Sequence, residues 1–223
     1  SGEMILTGTD LITYFNSETE QPWYSYRNQI TKIVIEDYVT SINDYAFYEM
    51  ANLKTVIIGS RVTSIGYESF EGCDNLTSVT IPASVTVIES NAFNGCSNLS
   101  SVHFLSGSKL TEIGSSAFYQ CKNLKTISLP NSLRVIGSYA FYGCSNLIAV
   151  EFGSKLNTIG YSAFQKCTQL VDVELPSSIR TVDDYAFYEC TNLISLSIPY
   201  GIQTIGYNAF GYCKNLKGEV KIP

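Results

Sequence analysis

Hydrophobic and polar positions recur along this chain in a long, regular unit. One complete unit, from Leu76 to Asn98, reads LTSVTIPASVTVIESNAFNGCSN, with the pattern L-x-x-V-x-I-P-x-x-V-T-x-I-x-x-x-A-F-x-x-C-x-N. Its phenylalanine recurs at Phe47, Phe70, Phe93, Phe118, Phe141, Phe164, Phe187 and Phe210. The spacing between successive phenylalanines is constant except for the step from Phe93 to Phe118, which is longer because of an insertion near Ser106. Such regularity predicts a solenoid of stacked coils.

Each unit predicts three local elements in a fixed order. In LTSVTIP, Val79 and Ile81 alternate with Thr80, which is the period of a strand with one buried face, and the proline then ends strand pairing. A second short extended segment, VTVI, again points apolar residues inward. In the following segment NAFNGCSNL the apolar residues lie at i, i+1, i+4 and i+7, behind Ser90 as a helix-starting residue type. This spacing predicts a short helix.

Together these elements predict an α/β solenoid of about eight 23-residue coils, with one parallel strand ladder, short second strands and short helices. A single coil buries too little apolar surface to offset the conformational entropy of ordering its backbone, so the coils must stack. The chain departs from the repeat before residue 30. We expect residues 1–29 to form an N-terminal cap on a solenoid of residues 30–223, with Trp23 as a candidate lid and the whole as one domain.

Charge and hydropathy argue against nucleic-acid binding and against a membrane-spanning helix in this chain. The net charge is -6, whereas nucleic-acid binding needs a basic surface that neutralises phosphates. No apolar run approaches the roughly 20 residues of a membrane-spanning helix. We therefore expect no nucleic-acid partner and no membrane span in this chain.

Seven repeats carry cysteine three residues after the phenylalanine, whereas the first repeat carries Met50. Disulfides are disfavoured because seven is odd and side-by-side thiols on one ladder point the same way. Zinc is disfavoured because successive cysteines are a whole repeat apart and the chain has one histidine. Packing remains, since free cysteine behaves as a small buried hydrophobe that methionine can replace. We expect a packing role, with no metal and no cofactor.

Enzymatic chemistry has little support in the sequence. The single histidine, His103, has no nucleophile paired with it by a recognisable motif. Carboxylates such as Glu151 and Glu174 would lie on a flat strand face, which excludes no water and positions no substrate. We expect no catalytic residues.

The outward positions of the main strand form two neighbouring columns, and their polar members are candidate binding residues. One column contains Ile57, Thr80, His103, Ser128, Glu151, Glu174 and Ser197, and the other contains Thr55, Ser78, Ser101, Thr126, Ala149, Asp172 and Ser195. Glu151, Asp172 and Glu174 make the C-terminal half acidic, which suits a cationic partner segment or a metal ion. A solvated sheet face is the alternative interpretation.

Sixteen tyrosines form the second candidate surface. Many flank the alanine–phenylalanine pair, and none of these fits the inward pattern, so we expect them on the side of the predicted helices. Tyr119, Tyr142 and Tyr188 are candidate binding residues, because tyrosine offers a large contact area at low entropic cost. Alternatively, neighbouring tyrosines only stack on one another along the solenoid.

The combination L-x-x-V-x-I-P and V-T-x-I-x-x-x-A-F-x-x-C-x-N-L resembles the BspA-like class of bacterial leucine-rich repeats, over about residues 30–223. The opening PWYSYRNQITKIVIEDYVTSI is similar to the N-terminal cap of such proteins. The resemblance implies a right-handed solenoid on a secreted or cell-surface protein, with the strand face as the usual binding face. Members of the class resemble adhesins, and no catalytic residues accompany the family.

Three functions remain open at this stage. The first is a noncatalytic adhesion module that binds a host or bacterial surface protein. The second is a carbohydrate-recognition module that uses exposed tyrosines on a glycan, and the third is a structural spacer that displays another domain. We expect a monomer in each case.

Overall fold

The computed structural model describes residues 2–7, 15–17 and 19–217, and within them the chain is a parallel-strand solenoid of about eight turns. This confirms the repeat architecture. The main strands are β1 (Glu3–Leu6), β2 (Lys32–Ile35), β4 (Thr55–Ile58), β6 (Ser78–Ile81), β8 (Ser101–Phe104), β10 (Thr126–Ser128), β12 (Ala149–Glu151), β14 (Asp172–Glu174) and β16 (Ser195–Ser197). The second strands are β3 (Ser41–Ile42), β5 (Ser64–Ile65), β7 (Val87–Ile88), β9 (Glu112–Ile113), β11 (Val135–Ile136), β13 (Thr158–Ile159), β15 (Thr181–Val182) and β17 (Thr204–Ile205). A 3-10 helix, Tyr24–Gln29, precedes β2.

The strand pairs described here are all parallel, and their register joins equivalent residues of adjacent coils, such as Val79 with Val102. The second strands form one uninterrupted eight-stranded sheet from β3 to β17. The main strands divide into three sheets, β1-β2-β4, β6-β8 and β10-β12-β14-β16. The second strands therefore provide the continuous ladder, although each of them is very short.

The predicted short helices are wrong, because the segments around the phenylalanines are successive turns. In every coil the residues two before and two after the phenylalanine have positive φ, and a left-handed residue interrupts a right-handed helix. The first set is Tyr45, Glu68, Asn91, Ser116, Tyr139, Ser162, Tyr185 and Asn208; the second is Glu49, Gly72, Gly95, Gln120, Gly143, Lys166, Glu189 and Tyr212. The helical spacing of apolar residues arises from a turn that is repeated, not from a helix.

These turns form a third backbone ladder between coils. The amides of the phenylalanine and of the two left-handed residues donate hydrogen bonds to carbonyls of the next coil. In the first coil the amides of Tyr45, Phe47 and Glu49 donate across 2.7–2.8 Å to the second coil. Adjacent coils are therefore hydrogen-bonded through the second strand and the turn, and within each of the three main-strand sheets through the main strand as well.

The phenylalanines form a buried stack along the whole solenoid. Neighbouring rings are 5.0–5.3 Å apart between centroids, and from Phe70 to Phe210 their planes differ by only 2–6°. Trp23 stacks on Phe47 at the N-terminal end with a centroid distance of 6.0 Å. Its indole Nε1–H also donates to the Ala46 carbonyl (2.7 Å), while Gln21 Nε2 donates to the Tyr45 carbonyl (2.6 Å). Trp23 thus closes both the aromatic stack and the turn ladder.

The cysteines form a second interior column, which explains Met50. All seven are free thiols; six are buried and Cys213 is half-buried. Each Sγ donates to the phenylalanine carbonyl of the preceding coil at 3.2–3.3 Å, as Cys73 does to Phe47. Burial raises the pKa of these thiols above the ordinary value. The first coil has no preceding phenylalanine carbonyl for a thiol, so methionine fills the position by packing alone.

Candidate functional site

The strand register places the predicted acidic residues together on the exposed outer face. Ser128 lies opposite Glu151 and its hydroxyl donates to Glu151 Oε2 at 2.6 Å. Asp172 lies opposite Ser195, which donates a hydroxyl hydrogen bond to it, and Glu174 lies opposite Ser197. All three carboxylates therefore lie on the adjacent strands β12 and β14.

His103 lies apart from this acidic group. It is an exposed residue of β8 opposite Thr80, and β10 separates its coil from that of Glu151. The described part of the chain contains no group of three or more histidine, cysteine, aspartate or glutamate residues that could hold a metal ion.

Tyr119, Tyr142 and Tyr188 belong to one continuous array of rings on the turn side of the solenoid. Tyr119 and Tyr142 stack at 4.9 Å with planes 5° apart, and Lys166 Nζ lies 5.4 Å from the Tyr142 ring centroid. Tyr188 contacts Tyr185 edge-on at 5.3 Å. We call the whole array the tyrosine surface; it contains Tyr119, Tyr139, Tyr142, Tyr161, Tyr185, Tyr188, Tyr207 and Tyr212. Neighbouring centroids in it are 4.9–5.9 Å apart.

Sequence reasoning missed an exposed apolar row beside the acidic residues. From the first coil onward, the position before the main strand is occupied by Thr31, Lys54, Thr77, Ser100, Lys125, Ile148, Val171 and Ile194, and Lys217 follows at the same spacing. Ile148 is 47% exposed, Ile194 is 54% exposed and Val171 is partly exposed. The sequence does indicate this row, because the residue before the main strand changes from polar to apolar in three consecutive coils.

A second apolar row lies at the N-terminal end of the strand face. Ile5, Val34 and Ile57 face one another in register on β1, β2 and β4. Ile5 is 53% exposed and Ile57 is 50% exposed. Val34 and Ile57 also line a shallow cavity of about 660 Å³, together with residues 36–38 and 58–61. The outer face of the main strands therefore changes from apolar at its N-terminal end to acidic in the later coils.

One carboxyl group on the turn side, that of Glu71, has a raised pKa. Glu71 is half-buried, and its Oε2 is buried without a hydrogen-bond partner. Burial, with the neighbouring charges of Glu68 and Glu49, raises the pKa of Glu71 to about 7 against the opposing hydrogen bond from Asn94. The folded protein therefore favours the neutral form of Glu71 more than the unfolded chain does.

We expect Glu71→Gln to flatten the dependence of stability on pH. Because the folded pKa lies above the ordinary value of 4.5, the stabilisation is complete below pH 4.5 and is lost as the pH rises through about 7. Solvent screening of this half-exposed group limits the effect to about 1 kcal/mol, or about 2–4 °C in Tm. Thermal melts of the wild type and the variant from pH 4.5 to 8 measure the difference. Glu20→Gln is the exposed control, and an unchanged slope in Glu71→Gln would contradict the assignment.

Comparisons with known proteins agree with this architecture. The family model described as the BspA type leucine-rich repeat region, with six copies, matches residues 20–121 and 111–223. The chain therefore belongs to the BspA-type leucine-rich-repeat family. A comparison with curated proteins finds no significant match.

Three solved structures are among those similar to this chain. The leucine-rich repeat protein of T. pallidum is 28% identical with a TM-score of 0.67, over 73% of this chain and 78% of that one. The pneumococcal vaccine antigen PcpA is 23% identical with a TM-score of 0.49, over 81% and 59% of the respective chains. A leucine-rich-repeat protein from Bacteroides ovatus is 22% identical with a TM-score of 0.41, over 96% and 85%.

The fold and the family define the class of function. The leucine-rich-repeat fold indicates a protein-interaction module, and the family is generally a noncatalytic scaffold. Within the described residues no helix has the length and apolar character needed to cross a membrane.

Proposed function

We propose that this chain is a noncatalytic protein-binding module that acts in adhesion on a secreted or surface-attached bacterial protein. The observation that carries the proposal is the tyrosine surface, which lies outside an interior that is already filled by the phenylalanine and cysteine columns. Tyr207 and Tyr212 are exposed and the other rings of this surface are partly exposed, and tyrosine side chains supply large contact areas that are typical of protein recognition. The partner is a host or bacterial surface protein.

The arrangement of the rings favours a protein over a glycan. With centroids 4.9–5.9 Å apart, the tyrosines pave the surface continuously and leave few separate grooves of the kind in which a sugar ring stacks. A structural spacer would need neither the tyrosine surface nor the acidic strand face. Both alternatives make distinct predictions in a binding screen.

The state of the cysteines is compatible with export. Disulfides normally form in oxidising compartments, but thiols that are buried and held as the protonated form react slowly. Here six of the seven thiols are buried, with a raised pKa. Protease treatment of intact cells of the source bacterium tests the location, since a surface protein is digested and an internal one survives.

Binding of the purified chain to panels of surface proteins and glycans tests the function. We expect micromolar binding to a protein, at least ~10-fold weaker in Tyr119→Ala/Tyr142→Ala/Tyr188→Ala, because truncated aromatic anchors typically cost over ~1 kcal/mol each. Tyr45→Ala/Tyr48→Ala, which removes a tyrosine pair outside the tyrosine surface, is the control. Binding to glycans alone, or to nothing, would contradict the proposal. Sedimentation of the free chain tests the expected monomer.

A further inference from the structure

Two adjacent rows on the sixth to eighth coils expose residues that are unfavourable for an isolated solenoid. The apolar row consists of Ile148, Val171 and Ile194, and the acidic row consists of Glu151, Asp172 and Glu174. We call the two rows together the docking face. Backbone hydrogen bonds from Val171 to Ile148 (3.1 Å) and from Ile194 to Val171 (2.8 Å) hold the members of the apolar row in consecutive coils.

The fold does not require the apolar row. The same position holds Thr77 in the third coil and lysine in the second and fifth, so polar residues are compatible with this backbone site. Ile148 and Ile194 are about half exposed and Val171 between them is partly exposed, so the three form a contiguous apolar patch, and such patches mark interaction sites. The row is therefore better explained by a contact with another molecule than by folding.

The acidic row is also unfavourable for the isolated chain. Glu151 and Glu174 occupy equivalent positions of adjacent strands, where like charges repel. In the part of the chain that the structure describes, the one salt bridge joins Lys32 to Glu3 at 2.7 Å, at the other end of the solenoid. The hydroxyl of Ser128 hydrogen-bonds Glu151 but does not neutralise its charge. Positive charge from a partner would remove this repulsion.

The dimensions of the docking face match an α-helix that lies along the solenoid axis. Coils are about 5 Å apart, as the 5.1 Å spacing of the buried Phe141, Phe164 and Phe187 rings shows. Ile148 and Ile194, two coils apart, are therefore separated by about 10 Å, close to the ~10.5 Å between helical positions i and i+7. Ile148 directly precedes β12 and Glu151 is the last residue of that strand, so the apolar and acidic side chains of this coil are separated by at most about 10 Å along the chain, which is the width of a helix.

From this combination we propose that the docking face binds a basic amphipathic α-helix of a partner protein. Apolar side chains at i, i+4 and i+7 pack on Ile148, Val171 and Ile194, and lysine or arginine on the neighbouring flank pairs with the acidic row. The helix in the described residues of this chain, Tyr24–Gln29, contains one basic residue and too few turns to serve, so the occupant is another molecule. This inference rests on the proposed function and names one class of partner for it.

The test measures the affinity of synthetic helices by fluorescence anisotropy. The probe is a peptide of about 14 leucine and lysine residues with leucines at helical spacing. We expect micromolar binding that weakens at least ~10-fold in Ile148→Thr/Val171→Thr/Ile194→Thr and in Glu151→Gln/Asp172→Asn/Glu174→Gln. Binding also weakens with added salt, because exposed charges are screened.

Control peptides and variants distinguish binding at the docking face from nonspecific hydrophobic or electrostatic binding. A peptide of the same composition with strictly alternating leucine and lysine should bind at least ~10-fold more weakly, and the glutamate version of the helical peptide should not bind. Glu20→Gln/Glu36→Gln/Glu112→Gln changes the net charge from -6 to -3, as the acidic-row variant does, and should bind the probe normally. Circular dichroism of each variant checks that it folds, and the acidic-row variant still tests the site if the threonine variant does not fold.

Several outcomes would overturn the inference. These are equal binding of the alternating peptide, equal loss in the two charge variants, or no binding of the helical probe. If the probe fails while a surface protein still binds through the tyrosine surface, the helix site is wrong and the proposed function stands. If neither binds, both are wrong.

Discussion

Trp23→Ala is expected to lower the free energy of unfolding by about 3 kcal/mol, the lower end of the range for truncating a large aromatic side chain, because Trp23 is partly buried against the core. The indole stacks on Phe47 at 6.0 Å and meets Phe15 edge-on at 5.8 Å, so its removal exposes the first layer of the aromatic stack. It also leaves the Ala46 carbonyl without the Nε1–H donor. Urea denaturation followed by circular dichroism measures the loss.

Two companion variants make this experiment decisive. Trp23→Phe keeps a ring on Phe47 but loses the hydrogen bond, so we expect a smaller loss of about 1–2 kcal/mol. Tyr26→Ala removes an aromatic residue of the same segment that is 59% exposed, and we expect a change within about 0.5 kcal/mol. If Trp23→Ala were as mild as Tyr26→Ala, Trp23 would not be the lid and residues 1–29 would not act as the proposed cap.

Phe141→Ala is expected to cost about 3–5 kcal/mol and to reduce cooperativity. Its ring lies between Phe118 and Phe164 at 5.2 and 5.1 Å, so the variant interrupts the stack near its middle. In a solenoid stability depends on contacts between neighbouring repeats, so a weakened junction lets the two halves unfold separately. The measurements are the midpoint and the m-value of urea unfolding, both of which should fall.

Phe210→Ala provides the matched control for that prediction. Phe210 is the last ring of the stack, is only partly buried and contacts Phe187 on one side. We expect a loss of about 1–2 kcal/mol with an unchanged m-value, because the weakened junction with Phe187 lies at the end of the stack and does not divide it into two halves. Equal effects of the two variants would show that the aromatic stack does not transmit stability along the solenoid.

The sequence predicts the solenoid well because the same pattern of buried and exposed positions recurs in eight repeats. Alternation in segments such as Ser78–Ile81 identifies the main strands, and one inward phenylalanine per unit gives an unbroken ring stack once the coils align. The parallel register follows directly from the nearly constant length of the repeat. The outward position of His103, Glu151 and Glu174 follows from the same alternation.

The turns could not be assigned correctly from apolar spacing alone. A helix and a repeated turn both bring Phe93 and Cys96 to the same side, and only backbone conformation separates them. Gly72, Gly95 and Gly143 stand at a left-handed position, as does Asn91 two residues before a phenylalanine. Glycine and asparagine tolerate this conformation best, so these residues carried the signal, but lysine and glutamate at equivalent positions obscured it.

Other features depend on neighbours that are distant in sequence. The reason for Met50 appears only when each thiol is seen to donate to the preceding coil, as Cys73 does to Phe47. The apolar row of Ile148, Val171 and Ile194 was visible as a change of residue type in one column, yet its importance emerges from its place beside the acidic row. A repeat pattern defines the interior of a solenoid more sharply than it defines the surface that binds.

Thiol titration of the native chain tests the central claim, that the cysteines are interior filler and that function lies on the exterior. With a thiol-specific chromogenic reagent and no reductant, we expect at most one thiol, the half-buried Cys213, to react in the folded protein, and slowly, because burial raises its pKa to about 11. All seven should react once urea unfolds the chain. Rapid reaction of several native thiols, or fewer than seven after unfolding, would contradict the account.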